Sequence, residues 1–121
     1  MAAPSILIVE DEKDVREVMS EMMDYFGYDT MIVGSGEEAL DKLKDSHFDL
    51  IITDLGLPGM DGREMVKKIR TDGINIPILV TTGVELENDK ETFQKYSKCD
   101  FIQKPFRVDD LNKRISNLLK L

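Results

Sequence analysis

Short apolar runs alternate along this chain with stretches of helical period, and that alternation limits the fold more than any other feature. Ile6-Leu7-Ile8-Val9, Leu50-Ile51-Ile52 and Ile78-Leu79-Val80 are continuous and mostly β-branched. Such runs suit strands buried on both faces, as in a parallel sheet. Asp29 to Val33 and Phe101 to Gln103 are weaker strand candidates. Between them, Val15, Val18, Met19, Met22 and Phe26 recur at spacings of three and four. They predict one apolar helix face, with Gly27 as its stop signal. Ser35 with Glu38 reads as a capping box ahead of a helix that buries Ala39, Leu40 and Leu43. Asp61 caps another, with Glu64 behind it and Met65, Val66 and Ile69 turned inward. Val108, Leu111, Ile115 and Leu118 mark a last helix. The stretch from Glu85 to Lys98 is mostly polar, anchored by Phe93 and Tyr96, and a short or mobile helix is expected there.

Strands alternating with helices predict an α/β class, with right-handed crossovers and a sheet covered on both faces. The 121 residues suit one domain, spanning 1–121. In sheets of this kind the functional site lies outside the carboxyl ends of the strands. Glu10 and Asp11 end the first strand, Asp54 the third, and Thr81 and Thr82 the fourth, while Lys104 follows the fifth. Residues far apart in sequence are therefore expected to meet at one edge.

Charge and composition narrow the function. A net charge of −8 argues against a general nucleic-acid binder, because phosphates would repel it. No apolar run approaches the ~20 residues that cross a bilayer. The start, Met1-Ala2-Ala3-Pro4-Ser5, lacks the basic region and apolar core of a signal peptide. Cys99 is the single cysteine and has no internal disulfide partner. A reducing cytoplasm fits all of this.

The expected cluster has its own chemistry. Three carboxylates at one edge repel, so at least one resists ionising unless it is compensated. A hard divalent cation resolves the conflict: Mg²⁺ takes one or two carboxylates, keeps several waters and accepts a phosphate oxygen. Lys104 adds a mobile positive charge and Thr82 a hydroxyl donor. Metal, ammonium and hydroxyl together hold three phosphoryl oxygens. Asp54 then stands as a nucleophile able to form an acyl phosphate. Phosphoryl transfer is mainly positioning and charge neutralisation, so few groups suffice.

Four motifs lie in order along the chain: Val9-Glu10-Asp11-Glu12; Asp54-Leu55-Gly56-Leu57-Pro58-Gly59-Met60-Asp61-Gly62; Pro77-Ile78-Leu79-Val80-Thr81-Thr82; and Lys104-Pro105-Phe106. Together they resemble the receiver domains of bacterial two-component response regulators, over nearly the whole length. The resemblance implies a doubly wound (βα)5 domain with a five-stranded parallel sheet in flavodoxin-like order 2-1-3-4-5. It implies that Asp54 accepts phosphoryl from the phosphohistidine of a sensor histidine kinase or a phosphotransfer protein. Asp11, Asp54 and the Gly56 backbone carbonyl are implied as Mg²⁺ ligands, with Glu10 acting mainly through water. Lys104 pairs with Asp54 and then with the phosphoryl group, Thr82 moves toward it, and Phe101 fills the aromatic switch position. The Lys104–Pro105 bond is expected to be cis. The switch surface is the face of the fourth helix, fifth strand and fifth helix. That face often makes weak homodimers in the family, and Asp100 and Arg114 resemble one of the acid–base pairs involved. Such a domain is not an enzyme on other molecules; it catalyses only its own phosphorylation and dephosphorylation. Departures from the pattern are Phe101, where Tyr is frequent, Gly83, where Ala is common, and Lys98-Cys99, where Gly-Ala is frequent.

Rival readings fit less well. A flavodoxin-like cofactor binder would be repelled by Glu10-Asp11-Glu12, and no Gly-rich cradle follows the first strand. A P-loop and a dinucleotide fingerprint are absent. An EF-hand fails at Gly56 and Pro58, where oxygen ligands are needed. An Asp-nucleophile phosphatase would need an acid where Gly56 stands. The main alternative is a receiver-like interaction module that works without phosphorylation, but such a module is expected to lack Asp54, Lys104 or the acid pair. Outside the site, His47 reads as solvated, Cys99 as a small apolar filler, and the methionines mostly as core.

Overall fold

The structure is a computed structural model that describes residues 3–83, 93 and 95–120. Its elements run β1 (Ser5–Val9), α1 (Lys13–Phe26), β2 (Asp29–Val33), α2 (Gly36–Asp45), β3 (Leu50–Asp54), α3 (Gly62–Thr71), β4 (Ile78–Thr82), β5 (Cys99–Gln103) and α4 (Val108–Leu119). The strands are all parallel, in the order β2-β1-β3-β4-β5. This is the expected doubly wound, flavodoxin-like α/β fold. The last helix, α4, is the fifth of the sequence expectation. Positions 84–92 and 94, which hold most of the expected fourth helix, lie outside the described residues. Its two anchors are both described: Phe93 is fully buried, and Tyr96 packs partly buried beside it.

Strand alternation divides the core into two layers. Leu7, Val9, Ile51, Ile78 and Val80 face α2 and α3, meeting Ala39, Met65, Val66 and Ile69. Ile6, Ile8, Leu50, Ile52 and Leu79 face the other way, onto Met19 and Met23 of α1 and Leu111 and Ile115 of α4. The central strands β1, β3 and β4 are buried on both faces, which explains their uninterrupted apolar runs.

The helix ends follow local chemistry. Gly27 closes α1 at φ 86°, a left-handed conformation that costs glycine little. The Ser35 hydroxyl accepts the Glu38 N–H at 3.2 Å, and Asp61 accepts the Arg63 N–H at 2.7 Å. These bonds satisfy amides that have no partner in a first helical turn.

Three apolar positions differ from expectation. Val18 is 54% exposed, because it falls at the edge of the face of α1 on which Met19 and Met23 are buried and Val15, Met22 and Phe26 are partly buried. Val108, at the first turn of α4, is 45% exposed, and Met31 stands outward on the edge strand β2. Cys99 is half-buried against the first core layer, and burial pushes its thiol up to about 11.

Candidate functional site

Strand register brings the site together. Val9 is opposite Val33 and Thr53, Asp54 is opposite Thr81, and Thr82 is opposite Gln103. The residues that follow Val9 and Gln103 therefore emerge at the same carboxyl edge as Asp54. Lys104 Nζ donates to Asp54 Oδ2 at 3.2 Å and lies 3.8 Å from Glu10 Oε1. The Gly56 N–H donates to the other Asp54 oxygen, Oδ1, at 3.2 Å. Both oxygens of the half-buried Asp54 carboxylate thus have partners. The Lys104 N–H also donates to the Thr82 carbonyl at 2.7 Å, tying the end of β5 to that of β4. The Lys104–Pro105 peptide is cis.

Glu10 is only 4% exposed. Burial is the main cause holding its carboxyl above the ordinary carboxylate range. Lys104 opposes that shift, while the Asp54 charge and the side chain of Asp11 reinforce it. The Asp11 backbone N–H donates to Glu10 Oε2 at 3.0 Å. Beneath these groups lies a cleft of about 30 Å³, bounded by Val15, Met19, Thr81 and Phe106 as well as Glu10, Asp54 and Lys104. Thr81 also donates to the Thr53 carbonyl at 3.4 Å, while Thr82 is buried at 2% exposure. Larger hollows of about 370 and 390 Å³ lie at the amino ends of the strands, around Pro4, Asp49 and Pro77. They are far from the acid–lysine cluster.

The donors at the carboxyl edge suit a hard cation. Glu10, Asp11 and Asp54 are oxygen ligands, and Gly56 is exposed, with open space where a Cβ would stand. One lysine faces two of these acids, leaving the edge with excess negative charge. Among the described residues, no three acidic, histidine or cysteine side chains form a ready-made metal cage. Mg²⁺ needs no such cage, since it keeps several waters and takes one or two carboxylates. The residues present therefore fit it.

Two contacts at the site were not read from the sequence. Arg16 Nη2 donates to the Asp11 carbonyl at 2.9 Å, and Glu37 Oε1 accepts the Met60 N–H at 3.2 Å. Neither belongs to a motif; both depend on how α1 and α2 pack beside the loops. Phe101 is half-buried against the first core layer. Asp100 and Arg114 meet within one chain at 3.1 Å, and Arg114 also donates to the Phe101 carbonyl at 2.9 Å. His47 is largely exposed and touches Asp49 at 3.3 Å.

The response regulator receiver domain family matches residues 6–116, and the chain belongs to that family. It is 34% identical over 115 residues to the alkaline phosphatase synthesis transcriptional regulatory protein PhoP of Bacillus subtilis, covering 95% of this chain and 48% of that protein. It is 36% identical over 115 residues to the transcriptional regulatory protein CiaR of Streptococcus pneumoniae, covering 95% of this chain and 51% of that protein. The chain thus spans about half the length of the curated relatives it matches. Among solved structures, it superposes on the receiver domain of sensor histidine kinase PA1611 of Pseudomonas aeruginosa with a TM-score of 0.87 and 28% identity, over 99% of this chain and 100% of that one. That structure is described with a magnesium ion coordinated in its active-site cleft. The chemotaxis response regulator CheY4 of Vibrio cholerae gives a TM-score of 0.86 at 29% identity, over 96% of this chain and 98% of that one.

Proposed function

We propose that this domain is a phosphoacceptor in two-component signal transduction, taking a phosphoryl group on Asp54 in an Mg²⁺-dependent step. The observation that carries the reading is the Lys104–Asp54 pair at 3.2 Å, with the buried Glu10 beside it, at the carboxyl edge of the sheet. A carboxylate oxygen of Asp54 attacks the phosphorus of a phosphohistidine on a sensor kinase or phosphotransfer protein. An O–P bond forms and the P–N bond breaks. The imidazole nitrogen leaves with the electron pair and takes up a proton. Lys104, paired with Asp54 beforehand, is then free to follow the charge onto a phosphoryl oxygen. The Thr82 hydroxyl supplies a further donor once it turns toward the new group. Asp11, Asp54 and the Gly56 carbonyl would hold Mg²⁺, with Glu10 acting through an intervening water. Bound there, the metal supplies neutralisation of phosphoryl charge. Attack of water on phosphorus later returns the free carboxylate and inorganic phosphate, so the domain acts only on itself. Its readout is a population shift of the face that carries Phe101, Asp100 and Arg114. A weak dimer through that face would need Arg114 to exchange its partner within the chain for one across the interface. A cytoplasmic setting is proposed on the lone half-buried Cys99. Among the described residues, no helix is long and apolar enough to cross a membrane.

Intact-mass measurement with a small acyl-phosphate donor and Mg²⁺ tests the reading. Wild type is expected to gain one phosphoryl group, and Asp54→Asn none, because an amide of the same shape is a poor nucleophile. Chelation is expected to stop wild-type labelling. Full labelling of Asp54→Asn would sink the assignment.

A further inference from the structure

We infer that Glu37 is a positioning residue for the loop that carries the phosphoacceptor chemistry. The inference rests on the function proposed above. Glu37 is the second residue of α2, and its Oε1 accepts the Met60 N–H at 3.2 Å. The docking around this bond is tighter than most side-chain contacts. A Cβ on Gly36 would sit 3.3 Å from Met60 Cβ and Sδ. A Cβ on Gly59 would sit 3.2 Å from Glu37 Oε1, and Gly59 has φ +72°. The first turn of α2 and the turn after Asp54 therefore meet through two glycines and one carboxylate.

The rest of the loop is fixed from other sides. The Gly62 N–H donates to the Leu55 carbonyl at 3.1 Å and closes the base. Leu55 and Leu57 are buried in the core beneath. Gly56, Pro58 and Gly59 remain exposed. The Gly56 peptide supplies an N–H to Asp54 and, in the proposed function, a carbonyl to the metal. No side chain at position 56 orients it, so the loop backbone must. Glu37 restrains that backbone four residues on, at Met60, whose side chain packs partly buried against the first core layer. The Ser35 hydroxyl, bonded to the Glu38 N–H at 3.2 Å, holds the helix turn from which Glu37 reaches.

A competing role is purely structural: an acid in the first turn of α2 also favours the helix dipole. Glu37→Ala removes both the charge and the acceptor. Glu37→Gln removes only the charge and keeps an acceptor oxygen. Three readouts apply to both variants and to wild type. They are amide exchange at Met60 in metal-free protein, the Mg²⁺ midpoint followed by the Gly56 amide shift, and the initial rate of labelling at saturating Mg²⁺. In Glu37→Ala, Met60 exchange is expected to quicken, and the Mg²⁺ midpoint and labelling rate to worsen, by roughly three- to tenfold, the range of one partly solvated hydrogen bond. Glu37→Gln is expected to restore most of each. Unchanged Met60 exchange in Glu37→Ala would overturn the inference. So would Glu37→Gln behaving like Glu37→Ala, since charge alone would then explain the effect. If wild type takes up no phosphoryl group, the proposed function fails and the catalytic half of this inference fails with it. If wild type labels normally and Glu37→Ala matches it, this inference alone is rejected.

Discussion

Glu10 shows how one side chain carries opposing costs. It is almost completely buried, a position that carboxylates rarely take without a partner. Lys104 at 3.8 Å gives partial compensation, but that lysine is closer to Asp54, at 3.2 Å. The native carboxyl therefore holds its proton more tightly than the unfolded one does. The native state binds more protons than the unfolded state in the window that opens at the ordinary value of 4.5 and runs up to the raised native pKa. Stability is thus fully present below the unfolded value and falls as pH rises through the native one. Glu10→Gln removes this loss. In metal-free protein the variant is expected to match or trail wild type near pH 4 and to exceed it at pH 7. Urea unfolding at the two pH values measures the difference. A variant less stable than wild type at both would refute the account. The motif Glu10-Asp11 was legible as an acid pair at a strand end. Its division into a buried and a half-exposed member was not, because burial depends on what α1 and Phe106 place around it.

Elements were legible wherever a local signal and a core-facing period agreed. The caps Ser35 and Asp61 and the stop at Gly27 behave as short-range chemistry requires. The phase of α1 was harder to read. At about 100° per residue, Val18 falls at the edge of the face that Met19 and Met23 bury, and Met23, missed in the sequence, is fully buried. Of the five positions read as one apolar face, Val15, Met19, Met22 and Phe26 do pack against the second core layer, and only Val18 stands outside it. The start of α3 shows tighter control. A Cβ on Gly62 would lie 2.5 Å from the Asp54 carbonyl oxygen and 2.9 Å from Leu55 Cα. Both are backbone atoms at the end of a buried strand and cannot give way cheaply. Gly62→Ala is expected to cost about 1–3 kcal/mol of stability, the usual price of overpacking. It is also expected to slow labelling of Asp54 by shifting the strand end. Urea unfolding combined with intact-mass rates would show both effects. A variant with wild-type stability would mean that the helix start has slack the close approach does not suggest.

Across the whole molecule, most of the candidate site could be anticipated because parallel strands deliver their ends to one edge. Asp54 and Lys104 stand 50 residues apart in sequence and 3.2 Å apart in space. Arg16 and Glu37 could not be anticipated, because they act on backbone atoms of loops whose course depends on helix packing. The same architecture makes the molecule's stability responsive to charge at that edge. Glu10, Asp11 and Asp54 gather where Lys104 is the cation that pairs with two of them, on a chain of net charge −8. A ligand that binds only the native edge stabilises the entire cooperative unit, by about 2.7 kcal/mol at a hundredfold excess over its Kd. For a domain of this size that corresponds to roughly ten degrees in melting temperature. Mg²⁺ is expected to raise the midpoint of wild type by that order, and a chelator to reverse the rise. General screening of a −8 chain also stabilises, so the control is sodium chloride at matched ionic strength, which should give a much smaller rise. The Mg²⁺-specific part should shrink strongly in Asp11→Asn, which removes a proposed ligand without emptying the core. A rise equal in sodium chloride and magnesium chloride would assign the effect to screening and count against a metal site at this edge. A full Mg²⁺-specific rise in Asp11→Asn would place the metal elsewhere.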